Sequence, residues 1–248
     1  KGADLLLQTH FLEDYSIDKV FALHNIPGEA KGTIICKEGS FTCSVISCDI
    51  NLYGHTSHAA EPLKAVSPYA AAVAIANTLL SYNQYDITKD DYRLVTLIEM
   101  HLGEQAYGVT AGEGVLRFTL RAREDSVLQK TKQQVEDVVN KEVAKIQGLS
   151  SEISWLEYFA ASRNQKDAVE VIRAAALDKG LTYKDKPVPF SWGEDFGLLT
   201  QHYDGALFGL GSGENQPSLH HPDFDFPDDI VPMGVKMFYG IVEQMEKK

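Results

Sequence analysis

Three of the histidines in this chain stand where an imidazole could take a metal ion or a proton. His220 and His221 lie in Gly209-Leu-Gly-Ser-Gly-Glu-Asn-Gln-Pro-Ser-Leu-His-His-Pro-Asp-Phe-Asp-Phe226, after a Gly-rich turn and before a carboxylate-rich loop. His24 is far upstream, in Val20-Phe-Ala-Leu-His-Asn-Ile-Pro27. Neutral imidazole is the commonest protein metal ligand, and a Gly/Pro-bounded loop can hold it in fixed geometry. Both sites follow an apolar, strand-like run, the position where open α/β sheets present ligands to a crevice. A histidine after a buried strand is, taken alone, more often a satisfied structural residue. The surrounding segments must therefore carry the argument.

The elements that would position these residues have two grammars. Over residues 1–42 the pattern predicts a helix from Gly2 to roughly Leu12, then strands near Lys19–His24 and Gly32–Lys37. Val20, Phe21, Ala22 and Leu23 form a continuous apolar run, as expected of a strand buried on both faces of an α/β layer. From about 43 to 160 the pattern changes. Ile46, Cys48, Ile50 and Leu52 alternate with polar neighbours, giving a strand with one wet face. Ser67-Pro68 opens a helix through Leu80, with a hydroxyl cap and Pro at the first helical position. Strands follow at Arg93–Leu102 and Val115–Arg123, a helix from about Ser126 to Ile146, and a last strand at Ile153–Tyr158. The order β-α-β-β-α-β is that of a split-βαβ, ferredoxin-like α+β sandwich. Residues 161–248 return to α/β character. There Asn164 is expected to cap a helix ending at Gly180, a buried strand runs over Gly205–Gly211, and an amphipathic helix closes the chain.

Composition sets outer bounds. At 248 residues, 44% hydrophobic and 23% charged, the chain reads as ordinary soluble globular material. Thirty-five acidic against 23 basic residues give a net charge of −12, which argues against a nucleic-acid binder. No apolar run is long enough to span a bilayer, so no membrane partner is expected. The three cysteines, Cys36, Cys43 and Cys48, are odd in number and sit in strand-like sequence. They read as buried thiols of a cytoplasmic protein rather than a disulfide framework or zinc cluster.

Four segments occur in order: Phe21-Ala-Leu-His-Asn-Ile-Pro27, Gly54-His-Thr-Ser-His-Ala-Ala-Glu-Pro62, Trp192-Gly-Glu-Asp-Phe196 and Leu219-His-His-Pro-Asp-Phe224. Together they resemble the M20 metallopeptidase and amidohydrolase family, in the branch that cleaves N-acyl amino acids, and the likeness runs over essentially the whole chain. It implies an α/β catalytic domain, of zinc-peptidase type, formed by residues 1–42 and 161–248. Residues 43–160 would be an inserted lid, or dimerisation, domain.

The resemblance also implies roles. His24 and His220 would be metal ligands, one on each of two divalent ions, zinc or manganese. His221 precedes Pro222 and should be extended. Two consecutive extended residues point oppositely, so the pair should not share an ion, and the family pattern places the ligand at His220. His58 would donate to the substrate carbonyl, from a partner's lid; its alternative reading is a surface histidine in a turn. Glu194, beside Asp195, would line the substrate site. Arg121, on the polar face of its strand, could pair bidentately with a substrate carboxylate or be a plain sheet-surface charge.

Two departures from the pattern stand out. The family's upstream ligands come from a His-x-Cys-Gly-His-Asp-type motif and a Glu-Glu pair, and neither sequence occurs here. In the family the pair precedes the Phe-x-Leu-His segment by about two dozen residues. Counting back from His24 places it just before Lys1. The expectation is then a fragment, inactive by itself and not by itself required to hold a metal, of a homodimeric enzyme that hydrolyses N-acyl amino acids or small peptides. The other departure is Gly108-Val-Thr-Ala111, where this branch usually carries Asn-Val-Ile-Pro; it bears on substrate choice. The alternative from a different class is a non-catalytic dimerisation or binding module derived from such an enzyme. A serine or cysteine hydrolase is disfavoured, because no Gly-x-Ser-x-Gly elbow is present.

Overall fold

A computed structural model describes residues 2–247; the expectation about what precedes Lys1 lies outside them. In chain order the elements are α1 (Gly2–Gln8), β1 (Val20–Pro27), β2 (Thr33–Cys36), β3 (Gly39–Ser40), β4 (Ser44–Tyr53), α2 (Tyr69–Leu80), β5 (Arg93–Leu102), β6 (Glu113–Ala122) and α3 (Asp125–Val143). They continue with β7 (Ser150–Phe159), β8 (Arg163–Asn164), α4 (Lys166–Asp178), β9 (Thr182–Asp185), α5 (Phe196–His202), β10 (Gly205–Gly213) and α6 (Val231–Glu246). These fall into two units, one made of residues 1–43 and 160–248, the other of residues 44–159.

The first unit is built on a mixed sheet in the order β1-β10-β2-β9, with β1 parallel to β10. β10 is central and buried along nearly its whole length. Ala206, Phe208 and Leu210 face a cluster with Ile34, Ile172, Met237 and Ile241, while Leu207 faces a second one with Ile35, Phe41 and Phe196. β1 is sorted the same way: Phe21 and Leu23 join the first cluster, Val20 and Ala22 the second. Its apolar run therefore packs on both faces, as a period-free run should. Each of those four residues is only partly buried, however, because β1 ends the sheet and has a neighbour on one side alone among the described residues.

Three local expectations need correcting. The first helix ends at Gln8, and a 3-10 turn over Phe11–Asp14 replaces its last turn. Asn164 does not cap α4; Gln165 holds that position, and Asn164 is buried in β8. Its Nδ2 donates to the carbonyls of Leu207 (2.8 Å) and Lys37 (3.0 Å), and its Oδ1 accepts from Leu207 N–H (2.8 Å). A buried amide that satisfies backbone groups of two other segments outweighs a cap at a solvated helix end. Pro68 sits at the cap position of α2 rather than the first helical one, while Ser67 Oγ still accepts from Tyr69 N–H (3.4 Å).

The second unit has an antiparallel sheet in the order β5-β6-β4-β7. Helices α2 and α3 cover one face, burying Ile75, Leu79, Leu128, Val135 and Val139 against Cys48, Ile50, Leu116, Phe118 and Leu120. The alternation in β6 leaves Arg117, Thr119 and Arg121 on the opposite face, as the sequence pattern requires. All three cysteines are free and buried; Cys43 ends the first unit and Cys48 lies within β4. No helix among the described residues is long and apolar enough to cross a membrane.

Candidate functional site

In the first unit the site is organised around His24. β1 carries it at mid-strand, opposite Gly209 of β10. Its Nδ1 lies 2.7 Å from the carbonyl oxygen of Asn25, which can only accept, so the ring donates there and Nδ1 carries a proton. That leaves Nε2 pointing the other way, 3.2 Å from Oε1 of Glu194. Trp192 stacks obliquely on the imidazole with centroids 4.6 Å apart, and Phe190 stacks on Trp192 at 4.8 Å. A five-residue segment, Phe190–Glu194, supplied by the loop between β9 and α5, thus fixes both the plane and the free nitrogen of the ring. The His24 side chain is 21% exposed and Glu194 35%. Burial works against the charged imidazole, but the Glu194 hydrogen bond, the Asn25 carbonyl and the Glu194 charge together hold its pKa above the ordinary value.

The donor chemistry suits one ligand of a divalent ion. A histidine ligand normally donates its other ring N–H to a carbonyl or carboxylate, and His24 does this with Asn25. Two acceptors facing each other at 3.2 Å, a ring nitrogen and a carboxylate oxygen, call for a shared cation, either a proton or a metal ion. Among the described residues, however, no three His, Cys, Asp or Glu side chains gather closely enough to hold an ion. Beside His24, Asn25 Nδ2 is buried without a hydrogen-bond partner.

His220 lies in the loop that leaves β10, within the turn closed by the His221 N–H to the Ser218 carbonyl (3.1 Å). Its backbone is left-handed, with φ of 65°, so the expectation of two extended, oppositely pointing histidines does not hold. The turn supplies the reason: His220 is its third residue, a position that takes a folded backbone rather than an extended one. Both rings are exposed, and Asp223 N–H donates to His221 Nδ1 at 3.1 Å. Asp195 holds the cap position just before α5, and its Oδ2 accepts from Ala3 N–H at 3.0 Å.

The remaining candidates are in the second unit. Arg121 lies on β6 between Val45 of β4 and Leu94 of β5, on the face away from the helices. His58 follows β4 in a loop fastened to the β5–β6 loop, with Ala60 N–H donating to its Nδ1 at 3.0 Å. A cavity of about 570 Å³ opens in this unit, lined by His55, His101, Glu104, Val109 and Thr110 among others. The sequence pattern gave no reason to single out Trp192 as a ring partner, or Thr110 and Ala60 as supports of His58. Trp192 and Thr110 are revealed by proximity across loops, and Ala60 by the tight turn at His58.

The profile of peptidase family M20/M25/M40 matches residues 1–244, and the chain belongs to this family. It is similar to the N-acetyldiaminopimelate deacetylase of Lacticaseibacillus casei, 26% identical over 241 residues, covering 96% of this chain and 62% of that protein. It is also similar to the N-acetylcysteine deacetylase of Bacillus subtilis, 25% identical over 238 residues, covering 96% and 61%. Among solved structures, the Bacillus subtilis YXEP protein, described as a dinuclear metal binding peptidase from the M20 family, superposes with a TM-score of 0.76. It is 21% identical, over 96% of this chain and 60% of that one. An aminobenzoyl-glutamate utilization protein from Klebsiella pneumoniae gives a TM-score of 0.74 at 17% identity, over 95% and 56%. These structural likenesses speak for the mixed α/β fold. The chain spans about three-fifths of the length of the relatives it matches.

Proposed function

We propose that the whole protein hydrolyses the amide bond of N-acyl amino acids or small peptides, and that this chain contributes part of a two-metal site to it. The observation that carries the reading is the His24 ring, with Nδ1–H on a backbone carbonyl and Nε2 turned toward a carboxylate. Membership of a family whose relatives include named deacetylases supports it.

In this reading His24, through Nε2, and His220 are ligands to separate divalent ions, zinc or manganese. Such ions, when bound, supply Lewis-acid chemistry, lowering the pKa of water and polarising the amide carbonyl. Glu194 orients the His24 ring and lines the substrate site. The second unit acts as the lid and dimerisation domain, and the partner subunit's His58 donates a hydrogen bond to the carbonyl oxygen as negative charge develops there. Arg121 pairs with the substrate carboxylate.

The test compares this chain with a longer form that includes the upstream family motifs. The longer form should bind about two divalent ions per chain and release free amino acid from N-acetylated substrates, while residues 1–248 alone should do neither. His220→Ala should cut turnover in the longer form by at least about a thousandfold and leave its melting temperature unchanged. Full activity in that variant removes His220 from the mechanism.

A further inference from the structure

The loop carrying His58 is fastened to the β5–β6 loop on both sides of that residue. Ahead of it, Ser57 N–H donates to Thr110 Oγ1 at 2.8 Å and Thr110 N–H donates back to the Ser57 carbonyl at 3.0 Å. Behind it, Ala59 N–H donates to the Gly108 carbonyl at 2.9 Å. A turn closes over the residue itself, with Glu61 N–H donating to the His58 carbonyl at 2.8 Å and Ser57 Oγ to the Glu61 carbonyl at 2.9 Å. Backbone and hydroxyl groups make all of these bonds, so the ring is held through its own main chain.

Inside this clasp, Ala60 N–H donates to Nδ1 of His58 at 3.0 Å. A nitrogen that accepts a hydrogen bond carries no proton, so the neutral ring must carry its proton on Nε2. We propose that the clasp fixes His58 as an Nε2–H donor, with the Ala60 amide selecting the tautomer and Thr110 as the positioning residue. The geometry comes from the second unit alone. Its catalytic consequence rests on the amide-hydrolysis reading above.

The chemistry is specific to one tautomer. An Nε2–H can donate to an oxygen that gains negative charge; an Nε2 lone pair would repel it. The Ser57 N–H is accepted by the Thr110 hydroxyl, so a side chain without oxygen at this position would leave that tie between the two loops unmade.

Nitrogen NMR on the ¹⁵N-labelled chain tests the idea without any turnover. The His58 ring shifts should report the Nε2–H form in about tenfold excess, the size one hydrogen bond confers. A coupling across the hydrogen bond should link the Ala60 amide nitrogen to His58 Nδ1. Thr110→Val should move the tautomer ratio toward that of the urea-unfolded chain, and Thr110→Ser should restore it. A predominant Nδ1–H form, a missing Ala60–His58 coupling, or an unshifted ratio in folded Thr110→Val would overturn the proposal; the first two need no variant to fold. In a longer form that turns over, Thr110→Val should lower kcat about tenfold with KM unchanged. Full turnover in His58→Ala would instead remove the hydrolytic role of His58 while the tautomer result stood.

Discussion

A carbonyl on one side and a carboxylate on the other grip the His24 ring, and the two grips differ in kind. The Asn25 carbonyl sets which nitrogen is protonated; Glu194 sets how readily the other one takes a proton. Replacing Glu194 by Gln removes the charge and should lower the His24 pKa, read by NMR titration; an unchanged value would show that the contact has no electrostatic weight. The cysteines follow the opposite logic. Burial pushes the Cys36 and Cys48 thiols up to about 12 from 9.0. The folded state thus favours the neutral thiol. That preference costs nothing below pH 9 and reduces stability progressively as pH rises from 9 toward about 12, where the unfolded chain ionises first. At pH 8 native protein should resist iodoacetamide while urea-unfolded protein reacts at all three thiols; fast native alkylation would contradict this burial. His24 stood out in the sequence because an apolar run ends at it. Its contact with Glu194 was not, since no periodicity links residues that far apart in the chain. The left-handed turn at His220 was equally hidden, because the pre-proline rule speaks only for His221.

At the scale of elements, the loops of the second unit depend on glycines at particular points. A Cβ on Gly112 would meet Thr56 N at 2.7 Å and the His55 carbonyl carbon at 2.9 Å, both backbone atoms with no rotamer to yield. Gly112→Ala should therefore cost about 1–3 kcal/mol in urea melts, by forcing apart the two loops that flank His58. A Cβ on Gly108 would meet nothing within 4 Å, so Gly108→Ala and Gly108→Asn should both stay within about 0.5 kcal/mol of the parent. Equal losses at 108 and 112 would mean that loop contact is not what the glycines serve. Elements with strong periodicity were readable to within a few residues: the alternation in β6, the apolar stripe of α3 and the glycine stop after α4. Those that went unseen lack the signal. β9 has four residues, three of them exposed, and α5 has seven, barely two turns. The role of Asn164 was misread because its cap-like sequence context says nothing about burial against β10.

For the molecule as a whole, division into an α/β unit and an antiparallel α+β unit was visible as a change of pattern, since one-faced and two-faced strands spell differently. Strand order was not: β2 lies antiparallel beside β10 although most of the chain separates them. The first unit's sheet stops on β1, whose outer margin has no neighbour among the described residues. In the same unit α6 exposes Val231, Val235, Phe238 and Val242, spaced like one helical stripe. Such a margin is a template: any extended peptide can add its main-chain groups to it, and an identical molecule is the most abundant candidate in a concentrated sample. Colloidal behaviour of the isolated polypeptide should therefore be set there rather than by its charge of −12, with light scattering that climbs with concentration even at low ionic strength.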